Sequence, residues 1–119
     1  MEEKQKKYFE YVAWLEKQPS VIEFAKYYIT NYNVEKYFDV NKRESVVFIA
    51  SLLAQAYAHE DGYKYNKETE FDKGLTIPNI IDKDCILQRT ILRVKRGMKY
   101  NEDGSVTVNL LEGFGRSLL

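Results

Sequence analysis

The chain has 119 residues, 45% hydrophobic and 30% charged, with a formal net charge of 0 and a pI near 6.6. Those values exclude a disordered polyelectrolyte and a whole-molecule field that would draw the chain onto nucleic acid or an anionic bilayer. The lone cysteine, Cys85, excludes an intrachain disulfide, and the polar start Met1-Glu2-Glu3-Lys4-Gln5-Lys6-Lys7 lacks the apolar stretch of a secretion signal, so the expected compartment is the cytoplasm.

Tyr8, Tyr11, Val12 and Leu15 recur at helical spacing with Lys6, Glu10 and Lys17 opposite them, which predicts a first helix over 2–18, ended by Pro19. Ser20 ahead of Val21, with Glu23 three residues on, reads as a reciprocal cap for a second helix over 21–31. Its buried stripe is expected to be Val21, Ile22, Ala25, Tyr28, Ile29 and Tyr32. Asn31-Tyr32-Asn33 closes it, Val34 to Val40 has room for one further helical turn, and Asn41 with Glu44 repeats the capping pattern.

The third helix, over 42–60, carries apolar residues on nearly every side: Val46, Val47, Phe48, Ile49, Leu52, Leu53 and four alanines among them. A helix of that kind is surrounded by others, so it is expected at the centre. Gly62 suits the left-handed residue after its end, and Tyr63 to Pro78 reads as a long polar loop. Leu87, Ile91, Val94 and Met98 mark a fourth helix over 82–96, acidic at its start and basic at its end, as the helix dipole favours. Asn101-Glu102-Asp103-Gly104 before alternating Val106 and Val108 predicts a hairpin over 98–110, followed by a glycine-broken tail over 111–119. The expected fold is one mainly α (α+β) domain over 1–119: about four helices around a buried central helix, with a C-terminal β-hairpin.

No catalytic, metal or nucleotide constellation emerges. His59-Glu60-Asp61 mixes an imidazole with carboxylates, but consecutive helical residues point about 100° apart and cannot converge, so an exposed helix end is expected. One histidine and one cysteine cannot close a structural zinc site, so neither a metal nor another cofactor is expected. Cys85 reads as a buried or half-buried thiol, Ser20 and Ser45 lack the strand-to-helix elbow of a hydrolase nucleophile, and Gly113-Phe114-Gly115 lacks a phosphate-loop context.

Two features stand out. Arg89, Arg93 and Arg96 share one helical face within a basic stretch that also holds Lys95 and Lys99 and no acid, a face able to meet an acidic partner or phosphate. Nine of the ten tyrosines lie between Tyr8 and Tyr65, and Tyr27, Tyr37, Tyr63 and Tyr65 fall outside the predicted buried stripes. Tyrosine is enriched in protein interfaces because it offers large contact area at small entropic loss. Glu68, Glu70 and Asp72 in the long loop would suit a basic partner instead. The expectation is a non-enzymatic, stoichiometric protein-binding module with another protein as partner and no membrane. It would inhibit that macromolecule in the manner of a toxin-neutralising immunity protein or an anti-defence protein. The alternative is a winged-helix-like regulator that binds nucleic acid through helix 82–96 and hairpin 98–110.

Overall fold

The computed structural model of the chain describes residues 3–61 and 85–108. Among them are α1 (Glu3–Leu15), α2 (Pro19–Asn31), α3 (Arg43–Glu60), α4 (Ile86–Gly97), β1 (Met98–Tyr100) and β2 (Val106–Val108). The architecture is mainly helical with a small antiparallel hairpin, as the sequence pattern predicts. The predicted loop over 63–78, residues 82–84 of the predicted fourth helix, residues 109–110 of the hairpin and the tail 111–119 lie outside the described residues.

α1 buries Tyr8, Tyr11, Val12 and Leu15, the stripe expected of it. α1 closes at Leu15, three residues before the expected end at 18, so Pro19 does not terminate it directly. That proline opens α2 at the first helical position, where the missing N–H has no partner to lose and the fixed φ is already helical. The N-cap is therefore Gln18, without a side-chain cap hydrogen bond, and the expected Ser20–Glu23 cap is not what starts the helix. α2 buries Val21, Phe24, Ala25, Tyr28 and Ile29; Phe24 was not in the expected stripe, and Ile22 and Tyr32 are only half-buried. Asn33 follows the helix with φ 60, a left-handed conformation that asparagine tolerates well.

The start of α3 also differs from expectation. Lys42, not Asn41, is its N-cap, and no side-chain cap hydrogen bond is made. Asp39 organises the approach instead: its carboxylate accepts from the Asn41 N–H at 2.8 Å, its carbonyl accepts from the Lys42 N–H at 2.9 Å, and its own N–H donates to Ser45 Oγ at 3.1 Å. α3 occupies the centre, packed by α2, α4 and α1. Its buried set includes Val46, Ile49, Leu52, Leu53 and Tyr57, with Ala50, Ala54, Ala56 and Ala58 between them. Alanine brings no bulk to a contact and so permits close approach of neighbouring helices. One departure is plain: Val47 and Phe48 near the helix start are 48% and 42% exposed. Phe48 stacks on Phe38 at 5.7 Å between centroids, so the turn through Val34 to Val40 covers only part of that face.

The end of α3 overturns the expectation of an exposed terminus. Asp61 is only 8% exposed, and the Tyr11 hydroxyl of α1 donates to its Oδ2 at 3.0 Å. Glu60 accepts from Arg89 Nε through Oε2 at 3.0 Å and from Arg93 Nε through Oε1. The polar triplet is thus the place where α1 and α4 are tied to α3. A carboxylate drawn inside is stable only when its oxygens are paired, which is what these residues supply.

α4 starts later than the expected helix over 82–96: Cys85 is its extended N-cap and Ile86 its first residue, so no acid stands in its first turn. It buries Leu87, Thr90, Ile91, Val94 and Gly97, and Thr90, outside the expected stripe, is accommodated because its Oγ1 donates to the Ile86 carbonyl at 2.7 Å. Gly97 is its last residue, and the chain passes directly into β1, where Met98 is buried. β1 and β2 pair antiparallel in the register Met98↔Val108, Lys99↔Thr107 and Tyr100↔Val106. Gly104 turns the chain with φ 88, a region where a side chain would strain the backbone.

Leu53→Ala, at a fully buried position, is expected to lose about 2–5 kcal/mol of stability in urea denaturation. An unchanged midpoint would contradict the central placement of α3. Glu60→Gln removes the charge shared by Arg89 and Arg93 and is expected to lose about 2 kcal/mol. Parental stability in that variant would show that the bridge is decorative.

Candidate functional site

Three tyrosines meet at the end of α2. Tyr28 is fully buried, and Tyr32, just past the helix, stacks on it with centroids 5.2 Å apart and planes 12° from parallel. Tyr27 meets Tyr32 edge-on at 6.0 Å. These contacts follow from spacing: residues four or five apart at a helix end lie on neighbouring parts of one surface. Beyond the left-handed Asn33, Tyr37 comes to rest against Tyr100 of β1 with centroids 4.5 Å apart. Strand alternation places Tyr100 on the same side as buried Met98, and the Tyr100 hydroxyl lies 3.8 Å from Met98 Sδ. Tyr27, Tyr32 and Tyr37 are half-buried and Tyr100 is 36% exposed, so the assembly shows ring area to solvent.

A cation completes it. Lys95 of α4 places Nζ 5.7 Å from the centre of the Tyr32 ring, within range for attraction to the ring face. Tyr37 also lines a shallow groove of about 390 Å³ with Phe38, Phe48 and Val106, and Glu44 stands at its edge. Exposed Phe48 therefore belongs to the same apolar surface as the tyrosine pair. Aromatic pairs in tilted or offset contact hold one another in place, so the rings are presented with little rotamer freedom left to lose.

Of the residues singled out by sequence, Tyr27 and Tyr37 join this surface. Arg89 and Arg93 do not stand free on a basic face: both are engaged with half-buried Glu60 where α4 meets the end of α3. Arg96 is exposed near the end of α4. Tyr63, Tyr65, Glu68, Glu70 and Asp72 lie outside the described residues. The sequence does not single out Tyr32 or Tyr100 as surface residues, and it shows Lys95 only as part of the basic stretch. Tyr32 was placed in a buried stripe, and Tyr100 is separated from the other tyrosines by the whole of α4. The available signal was its position two residues beyond Met98 in a strand, where it must share the inward side.

Three of the phenols, those of Tyr28, Tyr32 and Tyr100, are held in their neutral form. Burial raises the Tyr28 pKa far above its ordinary value, and the neighbouring Tyr100 adds to the effect. Tyr32 is pushed up to about 12, by burial first and then by Tyr27. Tyr100 is raised as well, chiefly by burial. At neutral pH the surface is an uncharged set of rings and hydroxyls with an ammonium at one side. It can stack, fill a hollow and donate or accept hydrogen bonds.

Among the described residues no group of three or more histidine, cysteine, aspartate or glutamate side chains is arranged to hold a metal ion. Among them, too, no helix is long and apolar enough to cross a membrane. No protein-family model, curated protein or solved structure gives a significant match to the chain.

Because the folded-state pKa values are raised, the neutral phenols contribute stability that is whole below the unfolded value of 10.0 and is lost as pH climbs through the folded values. Denaturation midpoints are therefore expected to fall between pH 10 and about 12, with phenolate absorbance lagging behind that of the unfolded chain. Full ionisation of Tyr28, Tyr32 and Tyr100 near pH 10, without loss of structure, would contradict the burial described.

Proposed function

We propose that this chain is a small stoichiometric protein-binding module, acting in the cytoplasm without chemistry of its own. Its partner docks on the surface made by Tyr27, Tyr32, Tyr37 and Tyr100 with Lys95 beside them. The observation that carries the reading is the convergence of tyrosines from α2, the following turn and β1 on one cation-edged surface. Interface anchors are commonly tyrosine rings seated in a partner's hollow, with charges at the rim setting the rate of encounter. The mode of action that suits such a surface is masking of another macromolecule, as an immunity protein masks a toxin or an anti-defence protein its target.

A second reading draws on the unbroken passage from α4 into the hairpin, with Lys95, Arg96 and Lys99 at the junction. That is the order of a recognition helix and wing. The engagement of Arg89 and Arg93 by Glu60 weighs against it, since phosphate contacts need cations whose charge is not already shared.

The test uses the full chain as bait in a lysate of its own host, with Tyr37→Ala and Tyr100→Ala variants in parallel. A single partner that elutes with the parent as an equimolar complex, and whose affinity falls by about 2 kcal/mol or more in either variant, is the expected result. Lys95→Glu should chiefly alter the association rate and its salt dependence. Retention of every captured protein by both tyrosine variants would refute the reading. Tight binding of short duplexes at physiological salt, weakening steeply as salt rises, would put the winged-helix reading in its place.

A further inference from the structure

A separate hollow lies where the turn after α1, the first half of α2, the approach to α3 and the start of α3 come together. Its volume is about 720 Å³. Ile22, Val40, Val46 and Val47 form its apolar lining, and Lys17, Lys26 and Arg43 stand around it together with Glu16. Volumes of a few hundred to about 1,000 Å³, mostly apolar and with a few charged groups, are typical of small-molecule sites. The size suits a small ligand better than a docked helix, whose diameter alone is about 10 Å.

The electrostatics select the sign of that ligand. Lys17 and Arg43 are exposed and have no ion-pair partner among the described residues. Lys26 meets Glu23 at 3.5 Å, but both side chains are open to water, and such pairs hold their charges weakly. With Glu16 the only acid among the described lining residues, the rim has a modest positive surplus, suited to one negative charge. The apolar lining accounts for Val47, an exposed valine near the start of α3 that nothing in the core requires. An apolar body covering Val47 and Ile22 would remove that surface from water, while its charged end met Arg43 and the lysines.

We propose that this hollow is a binding site for a small amphipathic monoanion, an aliphatic or aryl body ending in a carboxylate, distinct from the tyrosine surface. The ligand's tail lies on Ile22, Val40 and Val47, and its carboxylate is held by Arg43 with Lys17 and Lys26. Binding there does not involve Tyr37 or Tyr100, so the site stands or falls independently of the protein-binding reading.

Sodium decanoate is the probe, followed by amide chemical shifts on the full chain, with decanol and decyltrimethylammonium in parallel. The expected result is saturable binding of decanoate with shifts concentrated at Ile22, Lys26, Val40, Arg43 and Val47, and weak or absent binding of the other two. Lys26→Glu/Arg43→Glu reverses two of the three cations at exposed positions, and an acid at the start of α3 favours the helix dipole, so folding is expected to persist and is checked by thermal melting. In that variant decanoate affinity should fall at least about tenfold. Equal binding of all three amphiphiles, shifts scattered over the surface, no shift at all, or undiminished affinity in a folded double variant would each overturn the proposal.

Discussion

α3 cannot exist alone in water. Its apolar residues leave too little polar surface for any single face to be solvated at length, so the helix is stable only when enclosed, and α1, α2 and α4 are the walls of that enclosure. The four buried alanines decide how close the walls come, and Ile49, Leu52, Leu53 and Tyr57 fill the space that remains. Everything else described follows from that enclosure. The hairpin closes the end of α4 with Met98 turned inward. The turn through Val34 to Val40 bridges α2 to α3 and buries Val34 and Phe38 against the same core.

Enclosure by apolar contact is non-directional and would tolerate sliding of α1 and α4 along α3. The polar end of α3 removes that freedom. Asp61 receives the Tyr11 hydroxyl, and Glu60 receives two guanidinium groups from successive turns of α4. Each bond is worth little net against water, yet a misregistered packing would leave a carboxylate inside without partners, and that penalty is large. Residues that looked like a solvated terminus therefore act as the register marks of the bundle. The same engagement withdraws Arg89 and Arg93 from the basic face that their spacing suggests, which shifts the functional reading toward the tyrosines.

Helix positions and the hairpin were legible in the sequence because they depend on local signals. The stripe of α1 is the expected one, that of α4 holds the expected Leu87, Ile91 and Val94 but adds Thr90 and Gly97, and the Asn101-Glu102-Asp103-Gly104 turn is evident from its residues. The helix starts were misread because serine and asparagine ahead of a glutamate imply a cap whenever backbone geometry permits, whereas Pro19 sets φ earlier and the Asp39 turn delivers the chain to Lys42. The candidate site was half legible. An excess of tyrosine is visible in composition, but the pairing of Tyr37 with Tyr100 is a tertiary fact across 63 residues of chain. No periodicity encodes it. The exposure of Val47 and Phe48 was hidden for the opposite reason: an apolar residue at a surface site looks the same in sequence as one in the core.

α3 thus serves three ends at once: it fills the core, its C-terminal end fixes register, and its first turns supply Phe48 to the aromatic surface and Val47 to the cationic hollow. Native-state amide hydrogen exchange measures the first of these directly. Burial between α1, α2 and α4 predicts that amides from Ala50 to Ala58 exchange only through global unfolding, with a free energy equal to that from denaturation, while the ends of α1 and α4 open at lower cost. Exchange of the α3 amides as fast as those of α1, through local opening at low denaturant, would contradict the account.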